Sequence, residues 1–164
     1  MKIAPTGLLA LAFAGSVLAQ APIQHVPPPG VPAAAGPEML KPLPERKDVV
    51  SWKTLAQVEL VKVKDRYVPQ FTDAVAKLDK KEVKLQGFMM PLEMGAQQKH
   101  FVLLAMPQSC AFCMPGGPEQ LVEVRSKTPV TYGFEPIVLS GKLAVLKDEP
   151  SGVFYRLTEA VPAK

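Results

Sequence analysis

The sequence predicts a mainly β domain: a small OB-like barrel of five to six strands with one or two short helices. Three observations carry this. From Asp48 onward, apolar residues alternate in short runs punctuated by Gly, Pro and Asp. Loops are short and helical stretches few, which argues against α/β folds. Two strands also share a glycine pattern, Val83-x-Leu85-x-Gly87 and Ile137-x-Leu139-x-Gly141. Glycine inside a strand weakens it and marks a bulge or bend, and a closed barrel needs such corners. The five-stranded Greek key of the OB type fits the count and length. An open β-sandwich is the alternative.

Taken in order, Ser51 can cap a helical turn through Trp52, Leu55 and Ala56. Val58 to Val63 alternates like a strand, over a length too short to separate strand from helix by period alone. Thr72 to Leu78 reads as a helical turn and Asp79-Lys80-Lys81 as a tight turn. Glu82 to Met89 alternates at period two as far as Gly87, and His100 to Met106 is an apolar strand ending at Pro107. Glu119 to Val124 puts Gln120, Val122 and Val124 on one face. Pro136 to Val145 is the next strand, and the last runs through Val153, Tyr155 and Leu157. Met89 and Met106 are expected to fill gaps in the core.

The 164 residues divide into three parts. Residues 1–19 have the form of a cleavable signal peptide: Lys2, an apolar run from Leu8 to Ala14, and small residues at Val17 and Ala19. The run is shorter than the roughly 20 residues of a bilayer span. A periplasmic, secreted chain that is not membrane-embedded is therefore expected. Residues 20–47 hold eight of the 18 prolines, Pro27-Pro28-Pro29 among them, and read as an extended, flexible spacer. Residues 48–164 form the single β-rich domain. The formal charge is +4, but from Asp48 onward 15 Lys and Arg face 13 Asp and Glu. With no basic block and no aromatic platform, nucleic acid is not the expected partner.

Chemistry gathers in one window. Cys110-Ala111-Phe112-Cys113 is the only cysteine pair, and three readings compete for it. A thioredoxin-like redox site places its first cysteine at a helix N-terminus, which Met114-Pro115-Gly116-Gly117-Pro118 does not allow. A structural disulfide over so short a loop is worth only ~2 kcal/mol, a local clamp rather than a staple. The third reading is a soft-metal site, Cu(I) before Zn(II), since thiolates two residues apart can share one ion. Five of the seven methionines lie between Met89 and Met114, and His100 lies in the same window. Cys110, Cys113, Met114 and His100 are thus the candidate ligands. His100 also reads as an ordinary exposed residue at a strand start. Glu93 and Glu119 read as solvated, though a zinc site could recruit them. No Gly-x-Ser-x-Gly elbow, phosphate-cradling loop or nucleophile–base pair is present, so no catalytic residue is proposed.

Val50-x-Trp52-x-x-Leu55, Leu78-Asp79-x-Lys81-x-Val83-x-Leu85, and above all Gly87-Phe88-Met89-x-Pro91-Leu92-Glu93 resemble the core of a bacterial secreted family known only as a domain of unknown function. The likeness continues through Phe101-x-Leu103-Leu104, the cysteine- and proline-bearing loop, Glu119-x-x-Val122-x-Val124, Gly141-x-Leu143 and Tyr155-x-Leu157. It implies a periplasmic location and a small β-rich domain, and supplies no activity. Cys110 matches a cysteine common in that family's loop, whereas the second cysteine characterises only some members. Lys80 stands where a glycine after Asp79 is usual, so a different turn type is expected there. Function is therefore expected to be a periplasmic metal-handling accessory role. The alternative is a non-catalytic interaction module for an envelope partner with Cys110–Cys113 as a clamp, and a thiol-disulfide redox protein comes third.

Overall fold

In a computed structural model of the chain, residues 43–107 and 116–164 are described. The expected signal peptide, the proline-rich stretch as far as residue 42, and the loop with Cys110, Cys113 and Met114 lie outside them. Strands dominate what is described. Helix α1 (Trp52–Leu55) is followed by β1 (Val58–Val63), β2 (Arg66–Phe71) and helix α2 (Asp73–Ala76). Five longer strands come next: β3 (Glu82–Pro91), β4 (Gln97–Leu104), β5 (Leu121–Thr131), β6 (Ile137–Val145) and β7 (Tyr155–Pro162). A 3₁₀ turn at Pro118–Gln120 leads into β5.

The five long strands close into a barrel in the order β3-β4-β5-β7-β6. β5 and β7 run parallel and the other neighbours antiparallel. This is the Greek-key arrangement of an OB-like barrel. The two glycine-bearing strands pair with each other. Val83 lies opposite Gly141, Leu85 opposite Leu139 and Gly87 opposite Ile137. Beyond Gly87, β3 leaves β6 and takes β4 as its partner, with Phe88 opposite Leu104. At Gly141 the β6–β7 register shifts. A Cβ on Gly87 would lie 2.6 Å from the Leu104 carbonyl oxygen, and one on Gly141 2.7 Å from that of Thr158. Each bend thus brings a neighbouring backbone too close for any side chain.

Alternation along the strands builds the interior: Leu85, Met89, Phe101, Leu103, Val122, Val124, Leu139, Leu143 and Leu157 are buried together. Each large side chain so buried contributes roughly 1.5–3 kcal/mol. The short helices close one end of this core. Leu55 and Val75 are fully buried. The Ser51 hydroxyl accepts from Lys53 N–H at the α1 start, Trp52 Nε1 donates to the Gln86 carbonyl at 2.7 Å, and the Tyr155 hydroxyl donates to the Leu55 carbonyl at 2.5 Å. Phe71 meets Phe154 and Tyr155 edge to face or tilted, ring centroids 5.9 and 5.7 Å apart.

A second, smaller cluster lies on the outside of the barrel. Phe88, Val102 and Leu104 point away from the interior on β3 and β4, with Met90 and Leu121 beside them. Leu43, from the chain ahead of the barrel, packs against them.

Several local expectations change. β2 was not anticipated: Pro69 inside Arg66–Phe71 argues against a strand, yet β2 pairs only with β1 in a two-stranded ribbon, where a proline is tolerated. β4 begins at Gln97 rather than His100, and a register shift between Gln98 and His100 hides the alternation. β7 starts at Tyr155 and runs on to Pro162. Met106 is not a core residue. The alternation of β4 ends at Leu104, the chain turns, and Met106 is 61% exposed. Lys80 adopts φ 61°, so its turn keeps the left-handed conformation that a glycine takes most easily. No helix among the described residues is long and apolar enough to cross a membrane.

Candidate functional site

The cysteine loop is hung between two neighbouring strands. Leu104 at the end of β4 pairs with Leu121 at the start of β5. One step beyond, Ala105 N–H donates to the Gln120 carbonyl at 3.1 Å, and Gln120 N–H returns to the Gly117 carbonyl at 2.9 Å. Gly116 has φ 101°, and a Cβ there would meet the folded-back Gln120 side chain, so this exit requires glycine. Met106 projects into solvent at the other flank. The connection from β6 to β7 lies at this same end, because β5 and β7 both start there in parallel register. Tyr155 is held at this end with its hydroxyl pKa raised, first by burial and then by the Glu119 carboxylate.

Of the four predicted ligands, only His100 falls among the described residues. It sits opposite Arg125 on β4, four residues from Leu104 and so about 13 Å along the strand. Its Nε2 lies 2.9 Å from Glu123 Oε1. An ionised carboxylate only accepts, so this nitrogen carries the hydrogen and Nδ1 holds the lone pair in the neutral ring. Glu93 contributes its backbone rather than its carboxylate: Gln98 Nε2 donates to the Glu93 and Gly95 carbonyls at 3.0 and 2.7 Å, clamping the β3–β4 turn. Among the described residues, no three His, Cys, Asp or Glu side chains gather as a metal cage.

The most connected polar group is one the sequence reading passed over. Glu123 is only 8% exposed on the outer face of β5. Arg156 Nε from β7 donates to its Oε2 at 2.6 Å, while Arg125 Nε shares Oε1 with His100 at 3.2 Å. Glu149 approaches Arg156 from the β6–β7 connection at 3.6 Å. Burial alone would push the Glu123 carboxyl up. The hydrogen bonds from Arg156, His100 and Arg125 outweigh it and hold the pKa below the ordinary value. With both oxygens engaged, Glu123 is a knot joining β4, β5 and β7 rather than a proton acceptor for chemistry. Alternation marks it in sequence only as an outward residue. Its main partner comes from a strand 33 residues away, across a parallel pairing with no sequence signal.

A family profile described as a protein of unknown function, DUF3299, matches residues 38–159. The chain belongs to the DUF3299 family. The match spans both glycine-bearing strands, the cysteine loop and most of β7, and it begins ahead of Leu43. A crystal structure of a DUF3299 family protein from Pseudomonas aeruginosa PAO1 is similar to this chain. Identity is 23%, the TM-score is 0.46, and the overlap covers 58% of this chain and 68% of that one. No curated protein matches this DUF3299 chain.

Proposed function

We propose that this protein is a non-catalytic accessory protein of the bacterial envelope that holds a soft metal ion, Cu(I) before Zn(II), on Cys110 and Cys113. The exposure of Met106 supports this reading best. An unbranched thioether normally fills a core gap, yet this one stands in solvent at the root of the cysteine loop. Two thiolates with Met106 or Met114 make a three-coordinate site of soft donors, which suits Cu(I) and leaves Zn(II) short of its four ligands. His100 is tied to Glu123 some way up β4, so the thioethers fit the site better than the imidazole. The leader-like residues 1–19 agree with an envelope location.

The test is anaerobic loading with Cu(I) or Zn(II), followed by metal and free-thiol counts. About one copper per chain is expected. Cys110→Ser/Cys113→Ser should abolish retention, and Met106→Leu should weaken Cu(I) roughly tenfold while leaving Zn(II) unchanged. No retained metal, together with no free thiols in the native protein, would sink the proposal and leave the cysteines as a disulfide clamp.

A second reading, an interaction module, is favoured by the β1–β2 ribbon. Its faces alternate along the register, and both carry exposed apolar side chains: Leu60 and Tyr67 on one, Val61 and Val63 on the other. A two-stranded ribbon has little stability of its own, and apolar groups left in water on both faces suit a protein partner.

A further inference from the structure

Strand β1 has an edge without a partner. It pairs with β2 alone, in a two-stranded ribbon separate from the barrel sheet. Which backbone groups face outward follows from the register. Thr72 N–H donates to the Gln57 carbonyl at 3.3 Å, and Val63 faces Arg66 across a two-residue turn. Bonded and non-bonded pairs alternate along an antiparallel ladder, so Glu59–Gln70 and Val61–Val68 are bonded pairs as well. Val58, Leu60 and Lys62 therefore turn their amide and carbonyl groups away from β2. Val58 N–H donates to the Ala56 carbonyl. The N–H groups of Leu60 and Lys62 meet no acceptor among the described residues. The outer edge of β2 is different. Its outward row is Tyr67, Pro69 and Phe71; Pro69 has no N–H, and Phe71 packs against Phe154 and Tyr155. Proline thus guards one edge of the ribbon and leaves the other open.

The side chains along β1 define what fits beside it. Leu60 is exposed on one face, Val61 and Val63 on the other, and Glu59 and Lys62 are exposed among them. A strand laid along this edge needs apolar residues on both faces, a base opposite Glu59 and an acid opposite Lys62. A second copy of β1 does not supply this. Two-fold pairing of the strand with itself centres on a single residue. About Leu60 it makes the two copies' Glu59 side chains diagonal neighbours, and about Val61 it does the same for Lys62.

We propose that β1 accepts an extended segment of another protein as a third strand, bound through the Leu60 and Lys62 amides. The segment is mainly apolar and carries one acid and one base three residues apart. Strand addition rests on the interaction reading of the ribbon, and it names the edge and the chemistry of the contact. Backbone pairing supplies the affinity, while the two charges set the register.

Amide hydrogen exchange on the intact protein tests this. Leu60 and Lys62 should exchange at open-chain rates while Val61 and Val63 are protected. The probe is an end-capped synthetic peptide, Val-Glu-Leu-Val-Lys-Val, which in antiparallel register sets its lysine opposite Glu59 and its glutamate opposite Lys62. At millimolar concentration it should slow exchange at Leu60 and Lys62 roughly tenfold. Leu60→Pro removes an outward N–H and no hydrogen bond of the ribbon. It should cancel the peptide's protection of Lys62 while Val61 and Val68 stay protected. Slow exchange at Leu60 and Lys62 in the free protein would overturn strand addition. Peptide binding that perturbs the Leu60 and Tyr67 side chains without protecting those two amides would overturn it as well, and would leave the ribbon's faces as the interaction surface. No binding at all would overturn both.

Discussion

Glu123 holds three donors at once, and its removal should be felt well beyond one ion pair. Glu123→Ala leaves Arg156, which is mostly buried, facing a carboxylate-free pocket. The expected loss is about 2 kcal/mol, between the values for exposed and fully buried pairs, measured as a lower urea midpoint. The pH dependence follows from the depressed pKa. A carboxyl that is more acidic folded than unfolded contributes full stability above its unfolded pKa, near 4.5, and loses it as pH falls through the folded value. Glu123→Gln should therefore flatten the acid limb of the stability profile, and an unchanged limb would assign acid lability elsewhere. At this scale the sequence was half legible. Ser51, Trp52 and Tyr155 stood where pattern and caps put them, because those signals are local. Glu123 was passed over because its partners come from other strands, and Met106 was misplaced in the core because alternation stops before it. The turn at Asp79-Lys80-Lys81 was legible, but its left-handed Lys80 was not, because lysine carries that conformation against its own preference.

The paired glycines show how elements decide the shape. β3 and β6 share a ladder running from Glu82 opposite Lys142 to Gly87 opposite Ile137. One glycine sits near each end of it. Replacing either with alanine sets a Cβ against a backbone oxygen that belongs to a hydrogen-bonded strand and cannot swing aside. Gly87→Ala and Gly141→Ala should each cost about 2–3 kcal/mol, read as a shift in denaturation midpoint. A neutral effect at either position would show that the strand relaxes there. The glycine pattern was readable as a pair of bends, and the structure adds that the bent strands are partners. Strand β2 was not readable, since Pro69 masks its period and only β1 gives it a partner.

At the scale of the whole molecule, helices α1 and α2 and the barrel share one apolar interior, so they should melt together. Trp52 fluorescence, which reports α1 through its bond to Gln86, and far-ultraviolet circular dichroism, which reports the strands, should give coincident unfolding curves. Separate midpoints would mean that the helical end comes away first. Barrel class was legible from strand count, length and glycine bends. Strand order was not, because the closing contact of β5 with β7 is parallel and spans a whole intervening strand. Closure also has a consequence for the crowded solution in which the chain lives. A barrel opened at either glycine would present two long, unsatisfied rows of amide and carbonyl groups, on strands of ten and nine residues. Those rows could recruit further copies edge to edge. The two missing side chains thus also keep both long edges paired within the barrel.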